Sequence, residues 1–206
     1  MVKADCHDCK GCSDCCRGMG SSIILDPMDI WRFHRGIKKH FSALLEENYI
    51  ELGVVDGIIL PNLKMDAGRD ACPFLDNAGR CSVHRHRPGL CRLFPLGRYY
   101  EESGFKYFIQ IHECPKKDRG KVKIKKWLGI PNLKAYESYI MEWHDFLSEC
   151  EGALETLNDD NTRILTLYVL RRFYETSYIS QDENGFYDEF RTRMTEVREK
   201  LGMEPL

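Results

Sequence analysis

Apolar residues fall into three regimes along the chain. Asp26-Pro27 supplies a helix N-cap with proline in the first turn, and Met28, Ile30, Trp31, His34 and Ile37 then mark one helical face. A second helix is expected over residues 41–49. From residue 50 the pattern changes: Val54, Val55, Ile58, Ile59 and Leu60 bracket Asp56-Gly57. Tyr99, Tyr100, Phe105, Tyr107, Phe108, Ile109 and Ile111 bracket a Glu-Glu-Ser-Gly turn, so two β-hairpins are predicted. Helical periodicity returns over residues 133–149, 158–176 and 184–201.

The segments between these elements carry little apolar pattern. Residues 6–20 are rich in Cys, Gly, Asp and Ser, which predicts a loop ordered by metal rather than a helix or strand. Residues 21–25 read as a short strand. Between the hairpins come Cys72-Pro73-Phe74-Leu75, a turn at residues 76–79, Cys81, and a short helical turn around residues 87–92. The basic run at residues 116–126 reads as a solvated linker or helix start rather than a docking surface. The expected fold class is α+β. A small metal-organised core of loops, short β-hairpins and helices spans residues 1–115, and a helical region spans 116–206, packed on it as one continuous globular unit.

Composition narrows the function classes. A chain of 206 residues, 43% hydrophobic, can bury a sizeable core. Thirty basic and 32 acidic side chains leave a net charge of −2, which argues against nucleic-acid binding and against an anionic membrane surface. No apolar run reaches the length of a secretory or membrane segment, so the cytoplasm is the expected compartment. In a reducing compartment clustered cysteines favour metal ligation over disulfides.

Eight of the ten cysteines fall in two groups. Cys9, Cys12, Cys15 and Cys16 form a C-x2-C-x2-C-C run. Cys72, Cys81, Cys91 and Cys114 follow on separate turns. Thiolates at two-residue spacing can turn back on one ion or cluster, and Cys16, adjacent to Cys15, is available to a second centre. Eight thiolates suffice for two four-ligand sites. Cys6 is either a ligand or a bystander, and Cys150, on an apolar helix face, reads as a small buried hydrophobe. His84, His86 and His112 are candidate ligands or hydrogen-bond donors to thiolates, and His7 is ambiguous. His34, His40 and His144 sit on helical segments and read as surface or core residues. Arg87, Arg92 and Arg98 flank Cys91 and are expected either to offset thiolate charge or to pair with nearby acids.

The run from Cys9 to Cys16, then Cys72-Pro73-Phe74-Leu75, Arg80-Cys81-Ser82-Val83-His84 and Arg87-Pro88-x2-Cys91-Arg92-x-Phe94-Pro95, resembles the YkgJ-type CxxCxxCC family over roughly residues 6–115. The resemblance implies a cysteine-cluster domain that binds zinc or iron. Some relatives are called flagellin lysine N-methylases, a branch in which a cubane iron–sulfur centre is associated with methyl transfer to protein lysines. The sequence has no Gly-rich nucleotide-binding loop and no C-x3-C-x2-C run.

Two readings remain open. In the first, the cysteines hold an iron–sulfur cluster of the 4Fe-4S type, used for redox or for modifying a protein substrate. In the second, they hold zinc in a structural module that recruits a protein partner and has no catalytic activity. Thiol redox catalysis by the CxxC units is a third possibility, but no thioredoxin-like context surrounds them.

Overall fold

A computed structural model describes residues 1–6 and 12–204; Cys9 and His7 lie outside the described residues. In chain order the elements are β1 (Val2–Asp5), α1 (Pro27–Ile37), α2 (Phe41–Glu46), β2 (Ile50–Val55), β3 (Ile58–Leu63), α3 (Gly89–Leu93), β4 (Leu96–Glu101), β5 (Gly104–Ile109) and β6 (Gly120–Val122). Four helices complete it: α4 (Ile124–Leu128), α5 (Leu133–Leu154), α6 (Asp159–Leu170), which runs on into a π-helical turn at Arg171–Glu175, and α7 (Glu183–Leu201). The fold is mixed α+β, with small hairpin sheets in the N-terminal part and helices in the C-terminal part. Among the described residues no helix is long and apolar enough to cross a membrane.

Both hairpins form where the alternation placed them. β2 and β3 pair antiparallel with Val55 opposite Ile58, and the two turn residues, Asp56 (φ 49°) and Gly57 (φ 83°), take left-handed backbone. Asp and Gly tolerate that conformation best, which fixes the register. β4 and β5 pair from Leu96–Ile109 to Glu101–Gly104. The predicted strand at residues 21–25 reduces to one bridge between Ile24 and Asn62, lengthened by Leu25 N–H donating to the Pro61 carbonyl.

Other differences have local causes. The second helix stops at Glu46 rather than reaching residue 49, because Asn48 turns left-handed (φ 60°) and Tyr49 N–H returns to the Leu44 carbonyl. A short 3-10 turn, Asp14–Cys16, interrupts the predicted N-terminal loop. The basic run contributes β6 and α4: Val2 and Asp5 of β1 lie opposite Val122 and Gly120. Of the two expectations, solvated linker or helix start, the second holds, since α4 begins at Ile124, and the buried Val122 shows that the stretch also closes the fold.

α1 is held by the C-terminal helical region. Asp26 accepts from Asp29 N–H at 3.0 Å while Asp29 accepts from Asp26 N–H at 3.2 Å, a reciprocal cap on the helix start. Tyr139 of α5 accepts from Met28 N–H, Tyr174 donates to the Leu25 carbonyl, and Trp31 donates to the Ser180 carbonyl. Trp143, Phe146, Phe173, Phe186 and Phe190 pack with Tyr139 into a buried aromatic cluster beneath α1, where tilted and edge-on ring pairs such as Tyr139 and Phe190 at 4.7 Å add to the burial term. Replacing Phe190 by alanine is expected to cost about 3–5 kcal/mol in urea unfolding.

Candidate metal centre

Two segments outside the α-helices and strands carry Cys15, Cys16, Cys72 and Cys81, and each is held by identifiable hydrogen bonds. The Asp14–Cys16 turn is tied to the Asp66–Cys72 loop: Cys72 N–H donates to the Cys16 carbonyl at 2.7 Å, and Gly18 N–H donates to the Asp70 carbonyl. The segment from Cys72 to Cys81 folds around Asp76, whose Oδ1 accepts from Ala78 N–H and Arg80 N–H at 2.9 and 2.8 Å. That side chain imitates a backbone turn and brings Leu75 opposite Cys81. Ser82 then closes the loop with two bonds to the Phe74 carbonyl.

Cys91 arrives on α3, and α3 is docked from below. Asp29 Oδ1 accepts from Gly89 N–H at 2.8 Å, which fixes the first turn of the helix two residues before Cys91. Position 89 has to be glycine: a Cβ there would lie 2.9 Å from the Tyr136 hydroxyl and 3.3 Å from Asp26 Oδ2. Asp29 is buried and Asp26 half-buried, and desolvation pushes both carboxyls above the usual range, against the pull of Arg32.

These segments enclose one cavity of about 440 Å³, lined by six cysteines: Cys12, Cys15, Cys16, Cys72, Cys81 and Cys91. None of the nine described cysteines is in a disulfide. Cys15 and Cys16 share a hydrogen bond, and that bond, with burial second, pushes the Cys15 thiol up. Burial pushes Cys72 up to about 11, opposed by Phe74 N–H, and pushes Cys81 the same way. Cys91 is raised further, by burial first and then by Cys72, Asp29 and Cys15; its remaining surface faces the cavity. Among the described residues no three Cys, His, Asp or Glu side chains are drawn together closely enough to grip an ion as placed.

The remaining sequence expectations divide. Cys9 lies outside the described residues, and Cys114, half-buried, is not among the cavity-lining side chains. Cys6 is buried at the end of β1, and Cys150 is fully buried in α5, where its thiol is pushed up to about 12. His84 lines the cavity, its Nε2 2.9 Å from an Arg87 nitrogen. His86 instead packs against Gly36, and His112 is exposed. His144, at 3.7 Å between ring centroids, stacks on the cavity-lining Tyr100.

The three arginines flanking Cys91 have separate tasks. Arg92 donates to the carbonyls of Arg87, Leu128 and Arg85, a backbone clamp rather than a partner for thiolates or acids. Arg87 and Arg98 line the cavity, and each has a buried Nε without a hydrogen-bond partner among the described residues. Arg87 acts directly on Cys15 and Cys81, pulling against the burial that raises them. The donor set therefore fits a thiolate-bound metal centre: several sulfurs face one space, with a fixed cation beside them to offset the charge they would carry. The Asp26-Asp29-Gly89 support was missed in the sequence, although Asp26-Pro27-x-Asp29 is readable as a reciprocal cap.

Neither a curated protein nor a solved structure matches the chain. The family model CxxCxxCC, described as "Putative zinc- or iron-chelating domain", matches residues 8–120 and so spans every segment that lines the cavity. The chain belongs to the CxxCxxCC family of zinc- or iron-chelating cysteine-cluster domains.

Proposed function

We propose that this chain holds an iron–sulfur cluster, of the 4Fe-4S type, in the six-cysteine cavity and uses it for redox chemistry or for modifying a protein substrate. One observation carries the reading: thiols from separate chain segments line a single apolar-walled cavity of about 440 Å³ that is far larger than one ion. Structural zinc sites are closed tetrahedra with Zn–S bonds of about 2.3 Å, so their sulfurs crowd together. Thiols spread around a wider space suit a polynuclear centre, whose terminal ligands stand further apart. The proposed ligand set is Cys9, Cys12, Cys15, Cys16, Cys72, Cys81, Cys91 and Cys114, with the six that line the cavity as its core. A bound cluster would supply one-electron transfer or an open iron for a ligand; the chain supplies thiolates, Arg87 beside them, and apolar walls that exclude water.

A zinc module is the second reading, favoured by the way Cys16 and Cys72 are stitched together by a 2.7 Å backbone bond. Metal there would staple the N-terminal loop to the hairpins and leave the helices to meet a protein partner. Reconstitution separates the two. Metal-free protein treated with ferrous iron and sulfide should regain protease resistance and a broad visible absorbance; recovery with zinc alone, and none with iron and sulfide, would favour the staple.

Either metal must take its protons from reluctant thiols. With folded values above the unfolded thiol's, these groups contribute stability to the metal-free fold below the unfolded value, and that contribution is lost as pH rises through the folded ones. Metal binds the thiolate, so the order reverses on loading: affinity should fall as pH falls, by up to about tenfold per pH unit for each thiol that ligates. Chelator competition between about pH 6.5 and pH 8 reads the slope, and a pH-independent affinity would contradict thiol ligation.

A further inference from the structure

The cavity has more room than a thiolate centre uses. Its volume of about 440 Å³ lies within the small-molecule pocket range of about 300–1,000 Å³, equals roughly fifteen waters at about 30 Å³ each, and is not filled by an eight-atom cluster.

Arg87 acts on the Cys15 and Cys81 thiols, whereas the Arg98 guanidinium is held from the side of α5 and β5, by Tyr136 and Phe105. Burial works against the Arg98 charge, and the groups that act to keep it are Tyr136, Tyr100, Asp26 and Tyr107, with no thiol among them. Its guanidinium sits 5.5 Å from the Phe105 ring centroid and 5.8 Å from that of Tyr136. Nη2 bonds the Tyr136 hydroxyl at 3.0 Å, and among the described residues Nε is buried without a partner and no carboxylate stands within ion-pair distance. A half-buried cation held by two rings and one hydroxyl, with a buried N–H still to satisfy, is suited to an anion. Phe94, Leu96, Tyr100 and Phe108 supply apolar walls around it, and Gln110 a further polar group.

We propose that the Arg98 end of the cavity binds a small organic anion, a carboxylate on an apolar body, beside the metal centre. The proposal rests on the metal-binding reading above, since the thiol end must be taken up by the metal for the ligand to sit at the other. Arg98 holds the carboxylate by charge-assisted hydrogen bonds, and the aromatic wall holds the body. A compound bound there shares the cavity with whatever the thiols hold.

The test uses the metal-loaded full chain, with calorimetric titration of benzoate and 3-phenylpropionate and of their neutral amides. The acids should bind, and the amides should bind about tenfold more weakly or worse, the scale of a charge-assisted contact. Arg98→Gln should lose about tenfold in acid binding with metal content unchanged, and Arg98→Lys should recover part of it. If Arg98→Gln does not fold, Phe108→Ala serves, because Phe108 is 46% exposed on the hairpin. It should weaken 3-phenylpropionate several-fold. Equal binding of acids and amides, no binding of either acid up to about 10 mM, or variants that bind as the parent does would overturn the proposal. Metal assayed on the same samples keeps the two readings apart: metal present without acid binding sinks the anion site alone, and absence of metal sinks both.

Discussion

Cys91→Ser should yield protein depleted of metal and destabilised by on the order of 4–5 kcal/mol, while Cys150→Ser keeps its metal. Burial raises both thiols, so that shift alone does not distinguish them. Position does: Cys91 faces the cavity with five other cysteines, whereas Cys150 is enclosed in the helical core. Losing Cys91 removes a ligand and uncouples α3 from the loops that it joins. Cys150→Ser is not silent, because a hydroxyl buried there without a partner should cost about 1–3 kcal/mol; Cys150→Ala avoids that penalty. Metal per chain and urea unfolding on the same preparations check both halves. Equal metal loss in the Cys91 and Cys150 variants would contradict the cavity as the binding site.

Asp29→Ala should destabilise the metal-loaded protein by about 3–5 kcal/mol, although Asp29 touches no thiol. Its carboxylate is 1% exposed, caps α1 reciprocally with Asp26, and stands 4.0 Å from the buried Arg32 guanidinium. It also receives the Gly89 N–H that starts the Cys91 helix. Alanine leaves that N–H unpaired and leaves Arg32 with Glu183 at 3.5 Å as its ion-pair partner among the described residues. Losing one of the two ion-pair partners of a buried cation, together with the unpaired Gly89 N–H, is the costly part. Asp29→Asn keeps an acceptor for Gly89 and should cost less. Metal affinity should fall in parallel, since α3 is no longer fixed. A loss below about 1 kcal/mol, measured by urea unfolding at constant metal, would show that Arg32 and Gly89 find other partners.

What the sequence made legible was local. Asp56-Gly57 between alternating apolar runs dictates a hairpin, and Asp26-Pro27 dictates a helix start, because the deciding interactions lie within a few residues. The β1–β6 pair is different. Val2 meets Val122, and a three-residue strand inside a basic run carries no periodicity from which to read its distant partner. The thiol groups were legible as a pattern of spacings and as a family resemblance. Their convergence on one cavity was not, since it depends on the Cys16–Cys72 backbone bond and on Asp29 holding α3 from another element. Arg92 shows the same limit: a cation beside a cysteine reads as charge compensation, and only the fold reveals that three carbonyls occupy it. Arg98 gained its meaning from Tyr136, a residue far along the chain on α5.

The most direct measurement is of iron, zinc and acid-labile sulfide per chain, with the visible spectrum, on protein purified without oxygen from cells supplied with both metals. Iron with matching sulfide and a broad visible absorbance, lost together in Cys72→Ser and Cys91→Ser, is the result that the account predicts. Stoichiometric zinc in colourless protein without sulfide would contradict the cluster.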